Sequence, residues 1–258
     1  MAPPDVTEYL DLQRHHTRLA RQVACLQRTH AALQAFGYTV SSSMQPPLQA
    51  LAEVAGHMEA ELPADAVEAR ALVVRLHTRI ERLSLLHGDL RTYAQVGQAP
   101  GERRSMDIGL LVTHAWAHVP ASAHGQLILA ADLPRAVVVV VEALAAVLQA
   151  LLDNAVVHHD AGGGRVQVRG HLEPHRPGGA RLLVVEVEDD GPGIEPRFAD
   201  QVFRPLVTLS PRDRVGGCGM GLAIARKRAE VAGGQVHLVP RAGRGAVFRV
   251  EWPVEAGP

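Results

Sequence analysis

Apolar side chains near the N-terminus fall at Leu19, Val23, Leu26, Leu33, Val40 and Met44, and with His30 and Gly37 in the vacant slots their spacing alternates four and three. That alternation marks a helix that buries one narrow stripe against another helix. It resumes at Leu48, Leu51, Ala55, Met58 and Leu62. Between Met44 and Leu48 a step of four follows another of four, and Pro46-Pro47 falls inside this stutter. A proline in a helix interior removes a backbone donor and kinks the rod. The spacing therefore predicts one long, bent helix from about residue 6 to 62. Pro63-Ala64-Asp65 reads as a tight turn with Asp65 as N-cap. A second periodic segment follows through Ala69, Leu72, Leu76, Ile80, Leu83, Leu86 and Leu90. Two antiparallel helices with one stripe each leave apolar surface open. A dimer making a four-helix bundle would cover it, as would packing of the hairpin on the rest of the chain. The heptads favour the dimer without deciding the matter.

Residues 97–104 are rich in glycine, proline and arginine, and they divide the chain into 1–96 and 105–258. Beyond the break, 106–118 reads as a helix, 126–131 as a strand and 142–158 as a strongly apolar helix. Residues 165–171 and 181–188 alternate as paired strands. Residues 219–232 are helical again, and 235–240 and 246–252 read as closing strands. Helices on one side of a mostly antiparallel sheet make a sandwich, so the expected class is α+β: a helical hairpin followed by an α/β-sandwich domain.

Composition narrows the function classes. Lys+Arg 26 against Asp+Glu 27 gives a net charge of −1, so no global field draws the chain to nucleic acid or an anionic membrane. Its two cysteines, Cys25 and Cys218, make neither a disulfide framework nor a zinc site, and a reducing cytoplasm is the expected compartment. The apolar stretch 136–152 is interrupted by Glu142 and Gln149 and falls short of a membrane span. The opening Met-Ala-Pro-Pro-Asp lacks the regions of a signal peptide. Among the histidines, His158-His159 reads as a helical pair pointing apart, and His57, His77 and His87 read as solvated helix positions. None makes a ligand set for a metal other than Mg²⁺.

Three strings carry chemistry. Leu151-Leu152-Asp153-Asn154-Ala155-Val156-Val157-His158 ends an apolar helix, and its Asn154 can offer an amide oxygen to a hard cation such as Mg²⁺. Val187-Glu188-Asp189-Asp190-Gly191-Pro192-Gly193-Ile194 runs from a strand into a Gly-Pro-Gly turn. Asp189 there can accept from an exocyclic amine, while Gly191 and Gly193 would let backbone approach a ligand. Gly216-Gly217-Cys218-Gly219-Met220-Gly221-Leu222-Ala223-Ile224 is glycine-rich and opens a helix, where backbone N–H groups can cradle phosphate.

In this order and spacing the strings resemble the N box and the first and second glycine boxes of the ATP-binding domain shared by sensor histidine kinases and related ATPases. Val202-Phe203-Arg204-Pro205-Leu206 is similar to the box that opens the ATP lid, and Gly243-Arg244-Gly245-Ala246-Val247-Phe248 to the last glycine box. The resemblance covers residues 106–253. It implies Mg-ATP, with Asn154 on the metal, Asp189 on adenine, and Gly191, Gly193, Gly217, Gly219 and Gly221 in the ATP site. Ala150 and Val157 depart from the usual N box, and Cys218 stands where threonine is usual. Arg212 and Arg214 can supply positive charge in the lid.

The N-terminal half resembles the dimerisation and phosphotransfer helices of the same family. Phe36-Gly37-Tyr38-Thr39-Val40-Ser41-Ser42-Ser43-Met44-Gln45-Pro46-Pro47-Leu48 looks like the phosphoacceptor box in the form F-x-Y-x-V-S-H-D-L-R-x-P-L. The apolar and aromatic positions and Pro47 match. The reactive positions do not: Ser42 stands at the phosphoacceptor histidine, Ser43 at the adjacent acid, and Gln45 at the arginine. An imidazole nitrogen is a competent nucleophile near pH 7, whereas a serine hydroxyl needs a base. The resemblance thus implies a homodimer through residues 6–95 that binds ATP but does not autophosphorylate on the usual histidine. Its partner would be a response-regulator receiver or another histidine kinase. Two alternatives stay open: an active kinase phosphorylating serine or histidine on itself or a partner, and a dimer scaffold with a vestigial ATP site. Gyrase-, chaperone- and mismatch-repair-type ATPases share the ATP fold, but a chain ending at Pro258 is expected to lack their transducer domains.

Overall fold

Helix α1 runs unbroken over Val6–Glu61 and α2 over Val67–Gln95 in a computed structural model that describes residues 6–63, 65–97, 101–119, 125–160, 164–174, 181–209, 218–241 and 243–254. For part of α1 ahead of Ser42 only the helical backbone is described. Pro46 and Pro47 lie inside α1. Each lacks an N–H, so the carbonyls of Ser42 and Ser43 lose their helical donors. The turn differs from expectation. Ala66, not Asp65, is the N-cap of α2, and no side chain caps it. Asp65 offers its backbone carbonyl to Val67 N at 2.8 Å instead. Arg70 reaches back to the carbonyls of Leu62 at 2.6 Å and Pro63 at 3.1 Å, which places a cation where the α1 dipole is negative.

The apolar seam divides into two rows. Leu48 and Ala55, one heptad apart, are buried in the hairpin together with Val73, Ile80 and His87 at the same spacing on α2. Met44, Leu51 and Met58 on α1, and Leu76, Leu83 and Leu90 on α2, repeat that spacing yet stand between 39% and 52% exposed. One row per helix closes the hairpin and a second row faces outward. His87 is therefore a buried position rather than a solvated one, and His77 pairs with Glu59 of α1 at 3.3 Å.

The rest of the chain follows as β1 (Arg103–Met106), α3 (Ile108–Trp116), β2 (Gln126–Leu129), β3 (Val137–Val140), α4 (Val141–Val157), β4 (Arg165–Pro174), β5 (Arg181–Asp189), α5 (Gly221–Val231), β6 (Gln235–Val239) and β7 (Val247–Val254). A five-stranded sheet is ordered β2-β4-β5-β7-β6, with β2 parallel to β4 and the other pairs antiparallel. Strands β1 and β3 form a separate antiparallel pair. This is the expected α+β sandwich. Alternation along the strands explains its layers. Val166 and Val168 on β4, Leu183, Val185 and Val187 on β5, and Phe248, Val250 and Trp252 on β7 share one core with Leu144, Leu148, Leu151 and Leu152 of α4. Intervening positions carry charge: Arg169 pairs with Glu188, and Arg249 with Glu173, Glu186 and Glu251.

Strands β1 and β3 go beyond the sequence expectation. Val137–Val140 is all β-branched and favours a strand, but the apolar helix that follows at once hides its boundary. Helix α3 starts at Ile108 because the Asp107 carboxylate caps it, accepting from Leu110 N at 3.1 Å. Phe248 is fully buried, with its ring edge-on to Phe203 at a centroid distance of 6.1 Å. Phe248→Ala is expected to cost about 3–5 kcal/mol, read as a lower midpoint in urea unfolding.

Candidate functional site

On β5 the inward row Leu183, Val185, Val187 continues to Asp189, so the last residue of the strand turns its side chain to the helical side of the sheet. There a cavity of about 470 Å³ is lined from α4, the end of β5, α5 and α2. Asp189 is buried, and its Oδ1 accepts from Gly191 N at 3.0 Å and Ala246 N at 3.1 Å. Its second carboxylate oxygen has no hydrogen-bond partner among the described residues. Burial pushes the Asp189 carboxyl above the usual carboxylate range, while the two backbone N–H groups pull it back. The result is a fixed carboxylate with one acceptor to spare.

Asn154 lines the cavity from α4, and its amide forms no side-chain hydrogen bond among the described residues. Its neighbour Asp153 also lines the cavity and accepts from Gln149 Nε2 at 2.9 Å; burial pushes its carboxyl up. Mg²⁺ takes one or two protein oxygens and completes its octahedron with phosphate and water. The donors present fit that cation. No group of three or more His, Cys, Asp or Glu is arranged to hold a metal among the described residues.

The expected glycines divide by role. Gly191 and Gly193 pack against the Asp189 carboxylate and the Gly243 and Gly245 carbonyls, so their small size lets the loop close on itself. Gly193 lines the cavity and Gly191 is buried. Gly219 has φ +70°, and a Cβ there would stand 2.6 Å from the Val207 carbonyl oxygen. Gly245, at φ +86°, would with any side chain collide with the Asp189 carbonyl oxygen. Gly245→Ala is expected to lower stability by about 2 kcal/mol and to weaken ligand binding by moving Asp189, readable by unfolding and titration of the same preparation. Gly221 opens α5, whose N-cap Met220 makes no side-chain cap hydrogen bond among the described residues, and first-turn amides of a helix are donors suited to an anion. Gly217, Arg212 and Arg214 lie outside the described residues.

Other lining residues escaped the sequence reading. Helix α4 stops at Val157, so His158 is not half of a helical pair. It lines the cavity, and burial pushes its imidazole pKa down. His159 turns instead to Asp190, with Nε2 and Oδ1 3.1 Å apart. Asp89 of α2 and Arg228 of α5 reach the cavity from distant parts of the chain. Cys218 Sγ lies 3.6 Å from the Arg82 carbonyl, and burial together with Asp89 pushes its thiol up, the opposite of an activated cysteine. Ser42 and Ser43 do not line the cavity. Both are exposed and donate to the Thr39 carbonyl, at 3.0 Å and 2.8 Å.

Residues 139–256 match the family model described as histidine kinase-, DNA gyrase B-, and HSP90-like ATPase. This stretch is a histidine-kinase-type ATPase domain. The chain carrying it is 31% identical over 234 residues to the sensor protein CutS of Streptomyces coelicolor, covering 89% of this chain and 55% of that one. It is 26% identical over 244 residues to the phytochrome-like protein Cph1 of Synechocystis sp., covering 93% of this chain and 32% of that one. Among solved structures, full-length ShkA in complex with AMPPNP matches with a TM-score of 0.63 at 25% identity, covering 85% of this chain and 45% of ShkA. The chain thus spans about a third to about a half of the length of these relatives. The ATPase domain contains Asn154, Asp189 and the start of α5, whereas α1 and α2 precede it.

Proposed function

We propose that this chain binds Mg-ATP in the cavity of its ATPase domain and acts as a signalling module that does not phosphorylate itself. Asp189 is the observation that carries the binding reading. Its Oδ1 is held by two backbone amides, which leaves the second oxygen to accept from the exocyclic amine of adenine. His158, kept neutral by burial, adds a flat ring without adding charge. The open amides at the start of α5, with Gly219 and Gly221, would receive phosphate, and Asn154 would hold Mg²⁺. When bound, Mg²⁺ would screen the phosphate charge in a cavity that already holds Asp153 and Asp189.

The absence of self-phosphorylation rests on α1. Ser42 and Ser43 both spend their hydroxyl protons on the Thr39 carbonyl. Among the described residues neither is hydrogen-bonded to a carboxylate or imidazole that could act as its base. The outward rows through Leu51 and Leu83 support a homodimer through residues 6–95, since a second hairpin would bury them as a four-helix bundle. In this reading 1–96 forms the dimerisation unit and 105–258 the nucleotide unit. The partner is a response-regulator receiver or another histidine kinase, as the sensor-protein relatives suggest. The compartment is the cytoplasm, where two free thiols persist. No helix among the described residues is long and apolar enough to cross a membrane.

Equilibrium titration of the full chain with ATP and GTP in Mg²⁺ tests the binding reading. Saturable ATP binding is expected, with GTP weaker by about tenfold or more, because its 6-oxo group offers Asp189 an acceptor instead of a donor. Absent or equal binding of the two would contradict it.

A further inference from the structure

The cavity has a wall that belongs to the helical hairpin. Helix α2 lies beside α5, with the Arg82 carbonyl 3.6 Å from Cys218 Sγ and the Tyr93 carbonyl accepting from Lys227 Nζ at 2.6 Å. Lys227, the one lysine in the sequence, also stands 4.3 Å from the Tyr93 ring centroid. Its ammonium therefore meets the negative end of the α2 dipole and an aromatic face together. Further along, a Cβ at Gly97 would come within 3.2 Å of Val231 Cγ2, so the close approach continues past the end of α2.

Between the Arg82 and Tyr93 contacts, α2 presents Asp89 to the cavity. Asp89 is half-buried and has no hydrogen bond or ion pair among the described residues. Arg228 lines the same cavity, yet it forms no ion pair with Asp89, and its own Nε is buried without a partner. Asp89 lies near enough to the Cys218 thiol to disfavour the thiolate, an effect that outweighs the opposing pull of Arg82. Cys218 leads directly into Gly219 and the start of α5. A carboxylate of the hairpin, with no ion pair among the described residues, thus lines the same cavity as Gly219 and Gly221 at the start of α5.

We infer that Asp89 sets phosphate binding and docking of α2 against each other. A polyphosphate at the start of α5 is repelled by the docked carboxylate, so docking holds nucleotide affinity down. By reciprocity, bound nucleotide weakens docking by the same factor. The inference rests on the ATP reading above, and it makes a hairpin residue a determinant of how the ATPase domain discriminates by ligand charge. At a partly buried site one such charge pair is worth roughly a tenfold change in affinity.

The test compares ATP with adenosine in Mg²⁺ by equilibrium titration of the full chain, as wild type, Asp89→Asn and Lys227→Met. Asp89→Asn is expected to bind ATP about tenfold more tightly with adenosine unchanged, because adenosine carries no phosphate. Lys227→Met, which removes the cation that docks α2 while keeping Asp89, is expected to tighten ATP in the same direction. ATP affinity that is unchanged or weakened in Asp89→Asn, with wild type binding ATP, overturns the inference and leaves the ATP reading standing. Failure of every variant to bind either ligand overturns both.

Discussion

Asp189→Asn should weaken ATP binding by roughly ten- to a hundredfold while leaving the protein folded. The asparagine oxygen can still accept from Gly191 N and Ala246 N, so the loop keeps its two backbone ties. What changes is the other atom, which turns from an acceptor into an NH₂ donor and meets the adenine amine donor to donor. The same reversal is expected to narrow or invert the preference for ATP over GTP. Stability moves little or rises. Burial raises the folded-state pKa of Asp189, so its ionisation destabilises the fold near neutral pH and the burden is relieved as pH falls. Asparagine carries no such burden. For binding the sign is opposite: adenine needs the ionised carboxylate, so wild-type affinity should decline on acidification at a pH above that of an ordinary aspartate. The decline attributable to this group should vanish in Asp189→Asn. Unchanged ATP affinity in the variant would remove the adenine assignment.

Placing a charge in each outward row, Leu51→Asp with Leu83→Asp, should convert the dimer to a monomer. The two side chains stand 52% and 47% exposed in a single chain, so carboxylates there are solvated and each helix stays intact. In a four-helix bundle the same carboxylates would be buried without partners, at several kcal/mol. The dimer dissociation constant is expected to rise by about a thousandfold or more. Sedimentation equilibrium reads the change, and far-UV circular dichroism checks that helix is retained. A wild-type chain that sediments as a monomer, or a double variant that remains dimeric, would remove the assembly proposed here.

The long elements were legible because their periodicity is strong. The 3-4 spacing marked α1 through its two prolines, and period-two alternation marked β4, β5 and β7. The heptads could not separate the inward row of Leu48 and Ala55 from the outward row of Leu51 and Met58, since both satisfy one periodicity and only the placement of α2 distinguishes them. Val137–Val140 was hidden because an apolar strand running straight into an apolar helix leaves no polar boundary. In the site, Asn154 and Asp189 were found through local strings, and the structure brings both to one cavity. The helix expected over 142–158 ends at Val157, and His158, past its end, lines the cavity. Asp89 carries no local signal at all: it is one acid among many on α2, and only tertiary packing brings it to the nucleotide wall. The glycine-rich strings mark tight backbone, and at Gly191 and Gly193 the small size lets the loop pack on itself.

ATP bound by this chain without being used on it, as proposed above, would leave no phosphate behind. Incubating the purified protein with Mg²⁺ and γ-labelled ATP, in a preparation shown to bind ATP, tests it most directly. No retained label is expected. Acid-labile label would place phosphate on a histidine, and acid-stable, alkali-labile label lost in Ser42→Ala would place it on Ser42. Either result would contradict the account and make the chain an active kinase.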